Sequence, residues 1–271
     1  MAAGETIRVR NIDLPFDESI PKHWIDGSPV ATHFFNGLNL VFPDGERFFI
    51  RAVQDHLDRI ADETLRARVK GFFGQEGRHA HEHERYFEIL EAQGYRIDRF
   101  LRRFHRFIML SNRFMPAALR LSVTAGAEHY TATLGANALD NPLLESAHPV
   151  MRKLVYWHAL EEIEHKSVAF DVLRQTHPSY LLRIAGFVVA SVSLFLWTYM
   201  GTRMLVRQDG IDRRAARAEI RRLRRVTNDQ MERAINEGVR EYLRRDFHPD
   251  HKDDSALARR GLAAIGEPLP A

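Results

Sequence analysis

The chain has 271 residues, 45% of them hydrophobic and 28% charged, which suits one substantial core with an appendage better than two equal domains. It contains no cysteine, which excludes disulfides, thiolate zinc sites and cysteine nucleophiles, so nitrogen and oxygen must hold any metal. The net charge of +3 conceals an uneven spread, with arginines crowded after residue 200, so the total alone says little about partners.

Met1 to Ile20 carries charges every few residues and no apolar h-region, so no secretory signal is expected and the body is expected to be cytoplasmic. Pro15, Pro21, Gly27, Pro29 and Gly37 break any long period, and residues 1–42 are predicted to form an extended wrapping arm. Asp44, after Pro43, is the expected N-cap of a first helix running through Phe49, Val53, Leu57 and Ile60, with Glu46 in its first turn. A second helix is predicted from Leu65 to about Gln93, stopped by Gly94. A third covers Phe104 to Leu139, with Pro116 as a kink or break, and a fourth runs from Pro149 to Gln175 and stops at His177-Pro178. The predicted organisation is thus an arm over 1–42, a four-helix metal-binding bundle over 43–178, an apolar helix over 179–206, and an Arg-rich helix and tail over 207–271.

Two Glu-x-x-His elements stand on these helices, Glu76-Gly77-Arg78-His79 and Glu162-Ile163-Glu164-His165. Positions i and i+3 share a helix face, so each pair can aim a carboxylate and an imidazole at one point. Glu46 precedes Glu76 by 30 residues and Glu128 precedes Glu162 by 34, which reads as an internal helix-pair repeat. Four glutamates and two histidines from four helices are the ligand inventory of di-iron and di-manganese bundles. Single Glu-x-x-His matches arise by chance, and Glu145-Ser146-Ala147-His148 is set aside as one, since it lies between prolines without an upstream partner. His158, Glu162 and His165 form one stripe at i, i+4 and i+7. The symmetric position in the second helix is Phe72, so one metal would gain an extra imidazole. Alone, His158 would read equally well as a core histidine beside Trp157; with its neighbours it reads as a ligand.

The order Glu, Glu-x-x-His, Glu, His-x-x-x-Glu-x-x-His resembles the seven-ligand di-iron sites of the p-aminobenzoate N-oxygenase type within the ferritin-like superfamily. Carried over position by position, the resemblance implies an all-α, ferritin-like four-helix bundle with ligands Glu46, Glu76, His79, Glu128, His158, Glu162 and His165. Most of residues 20–245 is also similar to a bacterial family labelled "predicted metal-dependent hydrolase", through Phe42-Pro43-Asp44-Gly45-Glu46-Arg47-Phe48-Phe49, Gln75-Glu76-Gly77-Arg78-His79 and Glu161-Glu162-Ile163-Glu164-His165-Lys166.

Carboxylates are hard, anionic and able to change coordination mode, which suits two iron ions; manganese and zinc are the alternatives. Thr124, Ala125, Thr131, Ala132 and Gly135 around Glu128 would either leave room for substrate or allow close helix packing. His83 lies one turn from His79 and can reach the site, whereas His81 points away and His129 turns about 100° from Glu128. No His-Glu-x-x-His element occurs, so a zincin is unsupported.

Ile184 to Thr202 contains no charged residue and is barely long enough to span a bilayer. Crossing there would export the arginines that follow, against the positive-inside tendency, so a helix buried in the protein or a homodimer interface and a shallow membrane-surface contact are both set ahead of a true span. From Arg213 to Arg225 the chain is Arg-rich, with acids interleaved downstream and few aromatics, which favours a solvated helix or one against anionic lipid and not nucleic acid. The expected function is an O2-dependent oxygenase or oxidase acting on a small or lipid-like organic substrate, with dioxygen and an unspecified electron donor as partners. A dinuclear metal-dependent hydrolase is the enzymatic alternative, and an iron-storage or structural metal protein the non-enzymatic one.

Overall fold

The computed structural model describes residues 7–268, all-α and without a β-strand among them. The first six residues of the expected arm and the last three of the tail lie outside the described residues. In chain order the helices are α1 (Pro29–Asn39), α2 (Phe42–Gln54), α3 (Glu63–Ala92), α4 (Asp98–Phe114), α5 (Ala117–Leu139), α6 (Pro142–Glu145), α7 (Pro149–His165), α8 (Val168–Thr176), α9 (Tyr180–Gln208), α10 (Arg213–Val226), α11 (Gln230–Tyr242) and α12 (Ser255–Ile265).

The arm is not extended throughout. Pro29, expected as a breaker, sits in the first turn of α1, where its missing N–H costs nothing, and the Ser28 hydroxyl caps the helix by accepting from the Ala31 amide. Likewise α2 starts at Phe42 and not after Asp44. Pro43 is tolerated in its first turn, and Glu46 therefore stands one turn deeper than expected, on the buried face. Asp62 caps α3 by accepting from the Thr64 and Leu65 amides, and Gly94, at φ +91°, takes the left-handed conformation that follows its end.

Pro116 makes a complete break, so the expected third helix is two: an amphipathic α4 and a largely buried α5. The expected fourth helix is also divided, with α7 ending at His165 and α8 resuming at Val168. Between them Lys166 is drawn to the Asp254 carboxylate and the Lys252 carbonyl, both at 2.7 Å. The Arg-rich region breaks at Asn228 and Asp229, both with positive φ, into a fully peripheral α10 and an α11 that packs on α5.

Helices α2, α3, α5 and α7 pack in neighbouring pairs around the bundle axis. Against them α9 lies with one face on α1 and α5 and the other facing outward. By length and composition α9 could cross a membrane, but the fold leaves it neither free nor enclosed: 28% of its most apolar window is buried. The close approach to α5 requires Gly186, where an added Cβ would overlap Ser122. Gly186→Val should destabilise the protein by about 1–3 kcal/mol, read as a shift in denaturant midpoint at unchanged slope; an unchanged midpoint would mean that the two helices do not rely on this approach.

Candidate metal centre

Each of the four bundle helices delivers acidic or imidazole side chains to the same point. Glu46 comes from α2, Glu76 and His79 from α3, Glu128 from α5, and His158, Glu162 and His165 from α7. All seven are buried, Glu76, His79 and His165 completely. The side chains converge as two lobes about Glu162. In one, the His165 Nε2 lies 3.0 Å from Glu76 Oε1, 3.2 Å from Glu128 Oε2 and 3.3 Å from Glu162 Oε2. In the other, the His158 Nε2 lies 3.0 Å from Glu162 Oε1, the His79 Nδ1 3.8 Å from that same oxygen, and Glu46 Oε1 3.9 Å from the His158 ring.

These inward atoms have no hydrogen-bond partners. Both carboxylate oxygens of Glu46, Glu76 and Glu128, together with His79 Nδ1, His158 Nε2, Glu162 Oε2 and His165 Nε2, are buried and unsatisfied. Buried polar groups are normally paired, so a cluster of orphans aimed at one space calls for protons or cations there. Triads of these donors lie within 4.8 Å of one another, among them Glu76, Glu128 and His165 on one side and His79, His158 and Glu162 on the other. The donor set therefore fits a metal site.

Outside the seven, a second ring of residues orients the imidazoles, and most of it escapes sequence reading. The His79 Nε2–H donates to Glu161 Oε2 at 3.0 Å, which leaves Nδ1 bare toward the centre. The His165 Nδ1–H donates to Gln75 Oε1 at 2.9 Å, leaving Nε2 to face the carboxylates. A relay sets His158: the His83 Nδ1–H donates to Asn39 Oδ1 (2.5 Å), so His83 Nε2 accepts from His158 Nδ1–H (2.7 Å), and the His158 Nε2 lone pair points inward. Arg10, from the arm, grips both oxygens of Glu164 at 2.6 Å and reaches Glu161 at 3.3 Å. Helical spacing placed His83 beside His79, but Arg10 meets its partners across more than 150 residues and no local signal could reveal it. His81 is exposed, and His129 is buried elsewhere, donating to the Gly238 carbonyl.

The small residues of α5 divide by face. Ala127 and Thr131 border an apolar cleft that reaches Glu46, while Gly135 packs against Ala159 of α7. Ala132 faces a separate surface hollow lined by His129 and Glu237.

Electrostatics follow from crowding acids in a dry space. Burial, then Glu76, pushes the Glu46 carboxyl well above the usual range; burial and Glu128 do the same to Glu76. Glu128 is raised to about 7, chiefly by burial. Burial opposes charge on His165, but Glu162 and Glu128 overcome it and hold the ring's pKa well above normal. The acids thus favour the protonated imidazole of His165, and a metal bound there would compete with protons.

The consequence for stability has a definite sign. Glu128 titrates near 7 in the folded protein against 4.5 ordinarily, so its ionisation weakens the fold as pH rises from about 4.5 through about 7. Without metal, the wild type should lose up to ~3 kcal/mol relative to Glu128→Gln between pH 5 and 8, and added metal should reverse the trend. Parallel pH profiles for the two metal-free proteins in denaturant titrations would contradict this.

Comparison with curated proteins and with solved structures gives no match. A family model described as "Predicted metal-dependent hydrolase" matches residues 8–253, a range that takes in all seven converging side chains, Arg10 and the helices that carry them. The chain belongs to this predicted metal-dependent hydrolase family.

Proposed function

We propose that the protein is a ferritin-like dinuclear metal enzyme that holds two iron ions through Glu46, Glu76, His79, Glu128, His158, Glu162 and His165 and carries out an O2-dependent oxidation of an apolar organic substrate. The observation that carries this reading is the set of unsatisfied, inward-facing carboxylate and imidazole atoms from four helices. Two irons there would supply electrons to dioxygen, whereas a redox-inert pair would activate water. The chain's own part is to hold the imidazoles in one tautomer, to supply mobile carboxylates, and to keep bulk water out.

Hydrolysis is the second reading, and the family description supports it more directly than it supports oxidation. The surroundings of the donors favour oxidation. The neighbouring groups that could act as bases are already engaged: Glu161 by Arg10 and His79, His83 by Asn39 and His158, Gln75 by Glu164 and His165. None is left as a free general base, and the adjoining cleft is lined mainly by aromatic and aliphatic side chains.

The discriminating experiment is metal analysis of anaerobically purified protein, followed by absorption spectra as the ferrous form meets air. About two irons per chain with an oxygen-dependent spectral change supports the oxidative reading. Zinc with no spectral change, together with ester or amide cleavage, establishes the hydrolase, and iron far above two per chain would mark storage.

A further inference from the structure

The apolar cleft beside Glu46 is bounded by helices that carry exposed apolar side chains. Its inner end is formed by Glu46, Ala127, Thr131 and Phe42, and the Phe42 ring stacks on His158 with centroids 4.5 Å apart. Its outer walls are α4 and α9, through Phe107, Ile108 and Ser111 on one side and Ser193, Leu194 and Trp197 on the other. A cavity volume of 80 Å³ holds only the first few atoms of a chain, so a larger ligand must continue outward between the two helices.

Where the cleft's walls meet solvent, α9 exposes Val188, Val192, Leu196 and Tyr199, and α4 exposes Met109, Leu110 and Phe114, the last at 72%. Apolar faces of this extent mark a surface that is covered in use. The charge on α4 identifies the cover: Arg99, Arg102, Arg103, Arg106 and Arg113 are all exposed, against a single acid on the helix, Asp98. Arginines flanking exposed Phe, Leu and Met are the pattern of a helix resting in an anionic lipid surface.

Resting on the proposed function above, we propose that α4 and α9 seat the protein on an anionic bilayer and that the cleft between them draws in a lipid hydrocarbon chain, leading it past Phe42 to the dinuclear centre. The substrate class is then a long-chain lipid taken directly from the membrane, and Phe42 is the side chain that separates chain from His158.

Trp197 provides the test. Trp24 and Trp157 are completely buried, whereas Trp197 lines the cleft among Phe100, Phe104 and Phe107. The metal-loaded full-length protein would be mixed with phosphatidylglycerol vesicles brominated along the acyl chain, and with brominated phosphatidylcholine vesicles as the neutral comparison. The expected result is flotation with the anionic vesicles only, with loss of most of the emission that Trp197→Phe removes. Ser193→Phe and, independently, Ser111→Phe should abolish the quenching while leaving flotation intact, and Val192→Asp with Leu196→Asp should abolish both. Absence of flotation, or quenching that survives both cleft-filling variants, overturns the inference. Because neither readout depends on turnover, two bound irons without quenching would defeat the lipid inference alone, and quenching without bound metal would defeat the dinuclear reading alone.

Discussion

Glu162→Ala should strip the protein of both metal ions and of all metal-dependent activity. The Glu162 carboxylate touches both lobes, with Oε1 3.0 Å from His158 Nε2 and Oε2 3.3 Å from His165 Nε2. Bare Nε2 of His158 and a carboxylate oxygen are both acceptors, so their approach is favourable only with a cation or proton between them. Removing the carboxylate leaves each lobe with its own imidazole but without the anion that lies within 3.3 Å of both His158 and His165. The measurement is metal content per chain after equilibration with excess iron, together with far-ultraviolet circular dichroism to show that the helices persist. Retention of about two ions by a folded variant would remove Glu162 from the ligand set and with it the two-lobe description.

Arg10→Met should cost about 3–5 kcal/mol of stability and should weaken metal binding about 10–100-fold, although Arg10 touches no inward-facing donor. Its guanidinium, 5% exposed, is the cation that faces Glu161 and Glu164. Burial raises the Glu161 carboxyl to about 7 even with Arg10 opposing the rise. Without the arginine, Glu161 would take up a proton near neutral pH, and the acceptor that holds His79 Nε2–H would lose its charge. The two effects separate experimentally. Chemical denaturation of the metal-free variant reads the lost ion pair, and metal affinity at fixed pH reads the freed imidazole. Wild-type metal affinity in a destabilised variant would confine Arg10 to holding the arm.

The legible part of this protein is the part written in short-range periodicity. Helix spacing brings Glu76 onto one face with His79, and His158 onto one face with Glu162 and His165, because three and four residues make one turn and nothing distant needs to be known. The turn at Gly94 and the break at Pro116 were legible for the same reason. What failed did so where a local rule has two outcomes. Pro29 reads as an interruption and Pro43 as lying just before a helix capped by Asp44, yet proline also fits the first turn of a helix, and only the packing of α1 and α2 decides between these uses. Where helix α7 ends, Lys166 is engaged by a segment almost ninety residues later, which no window of sequence contains. The same limit hid Arg10 and Asn39. Within the run Glu161-Glu162-Ile163-Glu164, periodicity distinguishes Glu162 by its spacing from His158 and His165, whereas the partner that each remaining acid needs is not named by any spacing.

The burial of the seven donors, closed over by Arg10 and by Asn39 of α1, bears on how the protein matures in the cell. Hydrated ions do not pass readily through packed hydrocarbon, and the adjoining cleft is apolar, so a finished fold offers a slow path for metallation. With metal held as proposed, loading is expected to be faster before the N-terminal segment docks, when the acids still see water, than after it. Exchange with chelators is then expected to be slow in the wild type and faster in Arg10→Met, which loosens the segment's hold on Glu161 and Glu164. Metal supply during folding, more than intrinsic preference afterwards, would then set which element the mature protein carries.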